Sequence, residues 1–141
     1  MAPSRGNLLP LVSGMTAGGE PLSLRDFYMR RNMAIVIVGN DAQGQAWLAS
    51  AAEQQDAASR EAGVVVAITP SGVDAHGLRA IIDPDGHILQ KLGLRLDELP
   101  VLFLLDRYGK IFATNVGASA EPGLDPSAIP GWLEFIACRC S

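Results

Sequence analysis

Both cysteines of this 141-residue chain lie in its last four residues, Cys138-Arg139-Cys140-Ser141. Three interpretations are open. Arg139 favours the reactive thiolate form, so the two thiols could exchange disulfides with a partner. The same pair could bind Cu(I) or Zn, although two sulfurs leave a tetrahedral shell incomplete unless a second chain adds ligands. The third interpretation is that they are incidental thiols near a chain end.

Other chemistry-bearing residues form no recognisable site. The two histidines, His76 and His87, lie in no metal-ligand spacing, and Asp74 with His76 predicts only a local polar pair. The sequence has no Gly-x-Ser-x-Gly elbow, no Gly-x-Gly-x-x-Gly and no Walker loop. Apart from the cysteine pair, we therefore expect no metal site, and we expect no cofactor; we find no support for serine hydrolysis or nucleotide binding.

Composition limits the partners. The formal charge is -4, from 15 acidic and 11 basic residues with no Lys/Arg run, which argues against nucleic acid and anionic membranes. No stretch approaches the roughly 18 to 20 apolar residues of a membrane span. Residues 1–7 lack the pattern of a signal peptide. The sequence thus predicts one domain over residues 1–141 and a cytoplasmic location.

The middle of the chain predicts a parallel βαβ unit. Residues 33–39 and 64–69 are β-branched and apolar without interruption, as in strands buried on both faces. An alanine-rich stripe at helical spacing predicts a helix from about Gln45 to Ala62, ended by Gly63. Ile81 and Ile82 only lead into the turn Asp83-Pro84-Asp85-Gly86, which precedes a short helix to Gly93.

The flanking segments predict hairpins and a final helix. Leu8–Val12 and the turn at Gly18-Gly19-Glu20-Pro21 indicate an N-terminal hairpin within residues 1–22, followed by a capping box from Ser23 to Asp26. Residues 101–105 and 111–114 flank a polar turn and predict a hairpin that opens at Pro100, whose peptide bond is a candidate for the cis form. Residues 127–138 predict a helix, with Cys138–Ser141 as its Cys-x-Cys tail.

The proline-led hairpin and the Asp83-to-Gly93 segment resemble the thioredoxin-like superfamily, in its peroxiredoxin or redoxin branch. The resemblance covers about residues 22–136. It implies an α/β three-layer sandwich with a central mixed four-stranded sheet, here extended by the N-terminal hairpin. In that family a nucleophilic cysteine follows the first core strand, where a helix N-terminus stabilises the thiolate. Residues 39–47 of this chain contain no cysteine, so the resemblance implies loss of that activity.

Two functions follow as hypotheses. In the first, a catalytically degenerate redoxin-fold protein binds a protein or peptide in a groove between the proline turn and the helix start. The residues assigned to that groove are Asn40, Gly44, Gln45, Trp47, Leu99 and Pro100. In the alternative, a thiol-disulfide or peroxide oxidoreductase works through Cys138 and Cys140, across a homodimer. Replacing both cysteines by serine leaves partner affinity unchanged in the first case, and it abolishes stoichiometric metal binding if the pair is a metal site.

Overall fold

A computed structural model describes residues 2–139, which form one seven-stranded mixed sheet covered by helices on both faces. The strands are β1 (Ser13–Met15), β2 (Pro21–Ser23), β3 (Asn32–Ile37), β4 (Gly63–Thr69), β5 (Arg79–Ile82), β6 (Val101–Leu105) and β7 (Ile111–Thr114). The helices are α1 (Ala42–Glu53), α2 (Gln55–Arg60), α3 (His87–Lys91) and α4 (Ile129–Arg139). Short 3-10 turns lie at Leu24–Phe27, Leu96–Glu98 and Pro126–Ala128.

The strand order is β2-β1-β5-β4-β3-β6-β7. Strands β3, β4 and β5 run parallel, whereas β6 pairs antiparallel with β3 and with β7. Every residue of β3 and β6 is buried, because both strands lie inside the sheet with helices or packed loops over each face. The sequence prediction of a parallel βαβ unit and a proline-led hairpin is confirmed.

Two apolar cores lie on opposite faces of the sheet. One core packs Ile37 and Ile68 against Ile88 of α3. The other packs Leu48 of α1 and Leu133 of α4 against the reverse face of the same strands. The alternation of side chains along each strand produces this division, and the result is the expected three-layer α/β architecture.

The sheet is larger than the predicted four strands. Residues Arg79–Ile82 form β5, a strand that the sequence analysis missed, and Met15 of β1 pairs with Ile82 so that the N-terminal hairpin joins the main sheet. The apolar pair Ile81-Ile82 was the signal used there, and it is too short to distinguish a strand from the approach to a turn. The parallel pairing with β4 makes this segment a strand, although its own sequence does not indicate one.

The N-terminal hairpin begins later than predicted. Its first strand is Ser13–Met15, whereas Leu8–Val12 forms no strand and its β-bridge, from Leu8 to Lys110, is isolated. Pro10 cannot donate to a ladder, and Leu9 and Val12 are buried in the apolar core. The capping box is confirmed, since Asp26 accepts from the Ser23 backbone N–H at 3.1 Å and Ser23 accepts from that of Arg25 at 3.1 Å.

The long predicted helix is two helices. Helix α1 begins at Ala42, because the Asp41 carboxylate accepts the Gly44 N–H at 2.7 Å, and it ends at Glu53. Gln54 alone separates it from α2. The residue with left-handed backbone after α2 is Ala62, with φ of 56°, and Gly63 already belongs to β4. Within residues 2–139, no helix is both long and apolar enough to cross a membrane.

Candidate functional site

The corner between β3 and α1 is closely packed and carries no thiol. Residues 39–47 follow β3 along the chain and contain no cysteine. A Cβ placed on Gly44 would lie 2.7 Å from the Gly39 carbonyl oxygen and 3.1 Å from Val38 Cβ, so only glycine fits there without a shift. The first turn of α1 therefore lies directly against the end of β3.

The Leu99–Pro100 peptide bond is cis and lies beside this corner. A Cβ built on Gly39 would be 3.8 Å from Leu99 Cδ1, which is ordinary van der Waals contact. The side-chain amide of Asn115 donates to the Pro100 carbonyl oxygen at 3.0 Å and accepts the Leu102 N–H at 2.9 Å. Asn115, a residue that the sequence analysis did not single out, thus holds the start of β6 in place.

A cleft of about 580 Å³ opens on the α3 side of this corner. Its walls are the carboxyl ends of β3 and β4, the turn after β5, α3 and the loop before β6. The lining residues are Ile37, Val38, Gly39, Ile68, Thr69, Pro70, Asp83, Pro84, Asp85, Gly86, Leu89, Gln90, Leu94, Leu96 and Leu99. This cleft was not predicted from the sequence. Only its position in the fold could have indicated it, because ligands of α/β sheets commonly bind beyond the carboxyl ends of parallel strands.

Two polar groups at this cleft, the Asp83 carboxylate and the Leu99 N–H, are engaged in holding its walls. The buried Asp83 carboxylate accepts the N–H groups of Ile88 and Leu89, each at 3.2 Å, and so caps α3. The Leu99 N–H donates to the Leu96 carbonyl oxygen at 3.3 Å, which reduces its use for strand-like pairing with a peptide. Leu96 is 75% exposed at the rim, so the surface offered to a ligand is mainly apolar.

The structure distributes the predicted groove residues over several environments. Leu99 alone among the six lines the cleft, whereas Pro100 and Gly44 are buried and Asn40 is exposed. Gln45 Oε1 lies 3.2 Å from Nε2 of His76, and the half-buried Trp47 packs on the core of the α1 face. A binding groove made by all six residues stays a prediction.

The His76 backbone N–H also donates to Asp74 at 3.0 Å, which agrees with the predicted local pair. His87 is exposed at the start of α3.

Cys138 lies toward the other end of the sheet from this corner. Helix α4 follows the turn at Pro126–Ala128, which packs on α1, and brings Leu133 so close to Gly63 that a Cβ there would lie 2.7 Å from Leu133 Cδ1. Gly63 is the first residue of β4 and pairs with Asn32, the first residue of β3. Helix α1 begins after the last residue of β3, which is at the opposite end of that strand. The helix continues five residues past Leu133 to the exposed Cys138, about 7.5 Å farther along its axis. Cys140 lies outside the described residues.

Charged side chains near the cleft rim make an exposed cluster. Arg95 Nε donates to Asp97 Oδ1 at 3.0 Å. This hydrogen bond, together with the charges of Asp97 and Glu98, raises the pKa of Arg95 above its ordinary value. Within residues 2–139, no three His, Cys, Asp or Glu side chains are grouped as a metal site. The metal interpretation of Cys138 and Cys140 stays a prediction.

Comparison with solved structures shows a thioredoxin-like fold. The chain superposes with a TM-score of 0.75 on the thioredoxin domain of a thiol-disulfide oxidoreductase from Bacteroides vulgatus, at 14% identity over 96% of this chain and 99% of that one. A thiol:disulfide interchange protein from Chlorobium tepidum gives 0.71, at 13% identity over 96% and 99%. The exposed lipoprotein thioredoxin Etrx1 from Streptococcus pneumoniae gives 0.68, at 20% identity over 89% and 98%.

No protein-family model matches the chain, and no curated protein sequence matches it significantly. The solved structures from Bacteroides vulgatus and Chlorobium tepidum are named for thiol-disulfide chemistry. Identities of 13% and 20% establish a shared fold alone.

Proposed function

We propose that this chain is a thiol-disulfide exchange protein whose redox groups are Cys138 and Cys140. The observation that carries the proposal is the exposure of Cys138 on the last turn of α4, in a fold whose solved neighbours are named for this chemistry and whose usual thiol position holds none. An exposed thiol next to a cation is suited to exchange with a partner that approaches from solvent.

In the proposed reaction, the thiolate of one cysteine attacks a sulfur of the partner's disulfide. A mixed disulfide forms and the other partner sulfur leaves as a thiolate. The second cysteine then attacks the mixed disulfide and releases the remaining partner sulfur. Cys138 and Cys140 end as an intramolecular disulfide, the partner gains two electrons, and solvent protons convert its thiolates to thiols.

The partner of this reaction is proposed to be another protein or peptide. The α1 corner lies toward the opposite end of the sheet from Cys138, so we assign it no part in the exchange at Cys138 of the same chain. A homodimer is the arrangement that would bring the tail of one copy to the cleft of another. The peroxiredoxin branch, peroxide as a substrate and a cytoplasmic location stay predictions.

The test is disulfide exchange by the freshly reduced chain with a model protein disulfide such as insulin. We expect reduction of the substrate and, by mass spectrometry, a Cys138–Cys140 disulfide in the product. Cys138→Ser and Cys140→Ser variants should each fail to release reduced insulin and leave at most a mixed disulfide. Unchanged insulin reduction by the double variant would reject the proposal, as would exchange no faster than that of the urea-unfolded chain.

The cleft supports a second candidate, a module that binds an apolar ligand or peptide segment without catalysis. The specific observation is its apolar lining around Leu99, with exposed Leu96 at the rim and no thiol in residues 39–47. Such a module binds equally well with both cysteines replaced.

The dye 1-anilinonaphthalene-8-sulfonate is a suitable probe of this candidate. Leu96→Ser should lower dye binding, whereas Leu8→Ser, which alters a leucine that is 68% exposed elsewhere, should not. Equal dye binding by Leu96→Ser and the unchanged chain would exclude the cleft as the binding surface.

A further inference from the structure

A second concave surface lies between β7 and α4, and α4 is the helix that carries Cys138. Three aromatic side chains, Phe112, Trp132 and Phe135, line a groove of about 330 Å³, and we call it the aromatic groove. The Trp132 and Phe135 rings meet edge to face with centroids 5.5 Å apart, and Phe135 is 42% exposed. Exposed aromatic surface of this kind is enriched at sites of protein recognition.

Basic side chains flank the aromatic groove. Lys110 Nζ lies 5.6 Å from the centre of the Phe112 ring, and the Arg139 guanidinium carbon lies 4.3 Å from that of Phe135. Arg5 also lines the groove. Its Nη1 lies 3.9 Å from Oε1 of Glu121, which is a long ion pair between two exposed side chains. Glu134 falls about 160° from Trp132 around the helix at 100° per residue, away from the groove. A chain of net charge -4 therefore presents a positive aromatic surface here.

The outer edge of β7 is already paired with the N-terminal segment. Gly6 N–H donates to the Ile111 carbonyl oxygen at 2.8 Å, and Ile111 N–H donates to the Asn7 carbonyl oxygen at 2.9 Å. Leu9 N–H donates to the Gly109 carbonyl oxygen at 2.9 Å. A partner therefore cannot add a strand at these positions, and recognition here must depend on side chains.

The aromatic groove and Cys138 share one side of α4. Cys138 follows Phe135 by three residues, and residues three apart are neighbours on a helix surface. A segment seated on Phe135 would thus bring its adjoining residues next to the Cys138 thiol.

We propose that the aromatic groove docks an acidic peptide segment of the disulfide partner, with an aromatic or leucine side chain inserted between Trp132 and Phe135 and carboxylates facing Lys110, Arg139 and Arg5. The charge complementarity selects this occupant. The inference deepens the proposed function and rests on it only in naming the docked segment as part of the disulfide substrate.

Docking is measured without the thiols, in a full chain that carries Cys138→Ser and Cys140→Ser. The probes are two fluorescein-labelled peptides that share a central Phe-Leu pair and differ in having glutamates or lysines around it. We expect the glutamate peptide to bind at least about tenfold more tightly than the lysine peptide, with a preference that declines as salt rises.

Two matched pairs of variants assign the binding to this surface. Lys110→Glu should weaken binding of the glutamate peptide about tenfold, whereas Lys91→Glu, the same change at the chain's other lysine, should not. Phe135→Ala should weaken both peptides, whereas Tyr28→Ala, which truncates another aromatic ring that is 42% exposed, should not. Thermal unfolding of each variant confirms that it remains folded.

Equal affinity for the two peptides overturns the inference, as does binding that is insensitive to both Lys110→Glu and Phe135→Ala. Concentration-dependent self-association that Phe135→Ala abolishes also overturns it, because the occupant is then a second copy of the chain. Since exchange with insulin is measured on the cysteine-containing chain, loss of docking with intact exchange rejects only this inference. Intact docking with no exchange rejects only the proposed function.

Discussion

Asn115 and Leu102 are joined by a hydrogen bond of 2.9 Å, in which the Asn115 side-chain oxygen accepts the backbone N–H of Leu102. The amide nitrogen of the same side chain donates to the Pro100 carbonyl oxygen at 3.0 Å. One side chain therefore provides the partner that a neighbouring strand would otherwise provide at the start of β6. It thereby positions Leu99 at the cleft.

We predict that Asn115→Ala lowers the free energy of unfolding by about 1 to 3 kcal/mol, because it leaves two backbone groups without their partner. The Leu102 amide should also exchange its hydrogen faster. Urea denaturation and hydrogen exchange measure the two effects. Asn40→Ala, at an exposed asparagine near the same corner, should change stability by less than about 0.5 kcal/mol. Equal effects of the two substitutions would contradict the assigned role.

Gly44→Ala should destabilise the chain by about 1 to 3 kcal/mol, because the new Cβ overlaps backbone and must displace α1 from β3. That Cβ would lie 2.7 Å from the Gly39 carbonyl oxygen. Gly131→Ala in α4 is the matched control, since a Cβ there meets nothing within 4 Å. It should be neutral or stabilise the helix by up to about 1 kcal/mol. Thermal and urea unfolding of both variants measure the difference, and destabilisation by Gly131→Ala alone would show the packing argument to be wrong.

Ala62→Gly should stabilise the chain by about 0.5 to 1 kcal/mol. Ala62 follows the C-cap residue Glu61 of α2 and has a φ of 56°, a backbone conformation that costs about 1 to 2 kcal/mol for residues with a Cβ. Glycine removes that cost and loses part of the gain through its larger unfolded-state entropy. The control is Ala57→Gly within α2, where the same change should destabilise by about 1 kcal/mol. A lower midpoint of urea unfolding for Ala62→Gly would refute this prediction.

Asp125→Ala should lower stability by about 1 kcal/mol at neutral pH, because the carboxylate accepts the Ser127 N–H at 2.8 Å at the start of the turn that leads into α4. The Ser127 hydroxyl and N–H lower the pKa of Asp125 below its ordinary value. A lowered folded-state pKa means that the charged form contributes stability above the unfolded pKa of about 3.9, and that this contribution is lost as the pH falls through the folded value.

The difference between the unchanged chain and Asp125→Ala should therefore shrink in acid. Asp125→Asn keeps a good capping acceptor without a titrating group, so its stability relative to Asp125→Ala should be independent of pH over the same window. Urea unfolding at neutral pH and near pH 3 measures both differences. A constant gap between the unchanged chain and Asp125→Ala would contradict the linkage.

The central strands and local caps were predictable because their signals are short-range. Continuous apolar runs specify β3, β4 and β6, since a strand covered on both faces has no polar side to show. The Ser23–Asp26 capping box involves groups at most three residues apart. The absence of a thiol from residues 39–47 is likewise a property of the sequence alone.

Only the tertiary structure decided the remaining features, because they depend on residues that are distant along the chain. Strand β5 exists through its pairing with β4, and the hairpin joins the sheet through one pair of residues, Met15 and Ile82. The aromatic groove brings Arg5 and Phe135 together. The packing of Leu133 against Gly63 places Cys138 toward the end of the sheet opposite to the start of α1. No local pattern encodes which of several exposed aromatic and basic side chains will meet, since the packing of α4 against the sheet determines it.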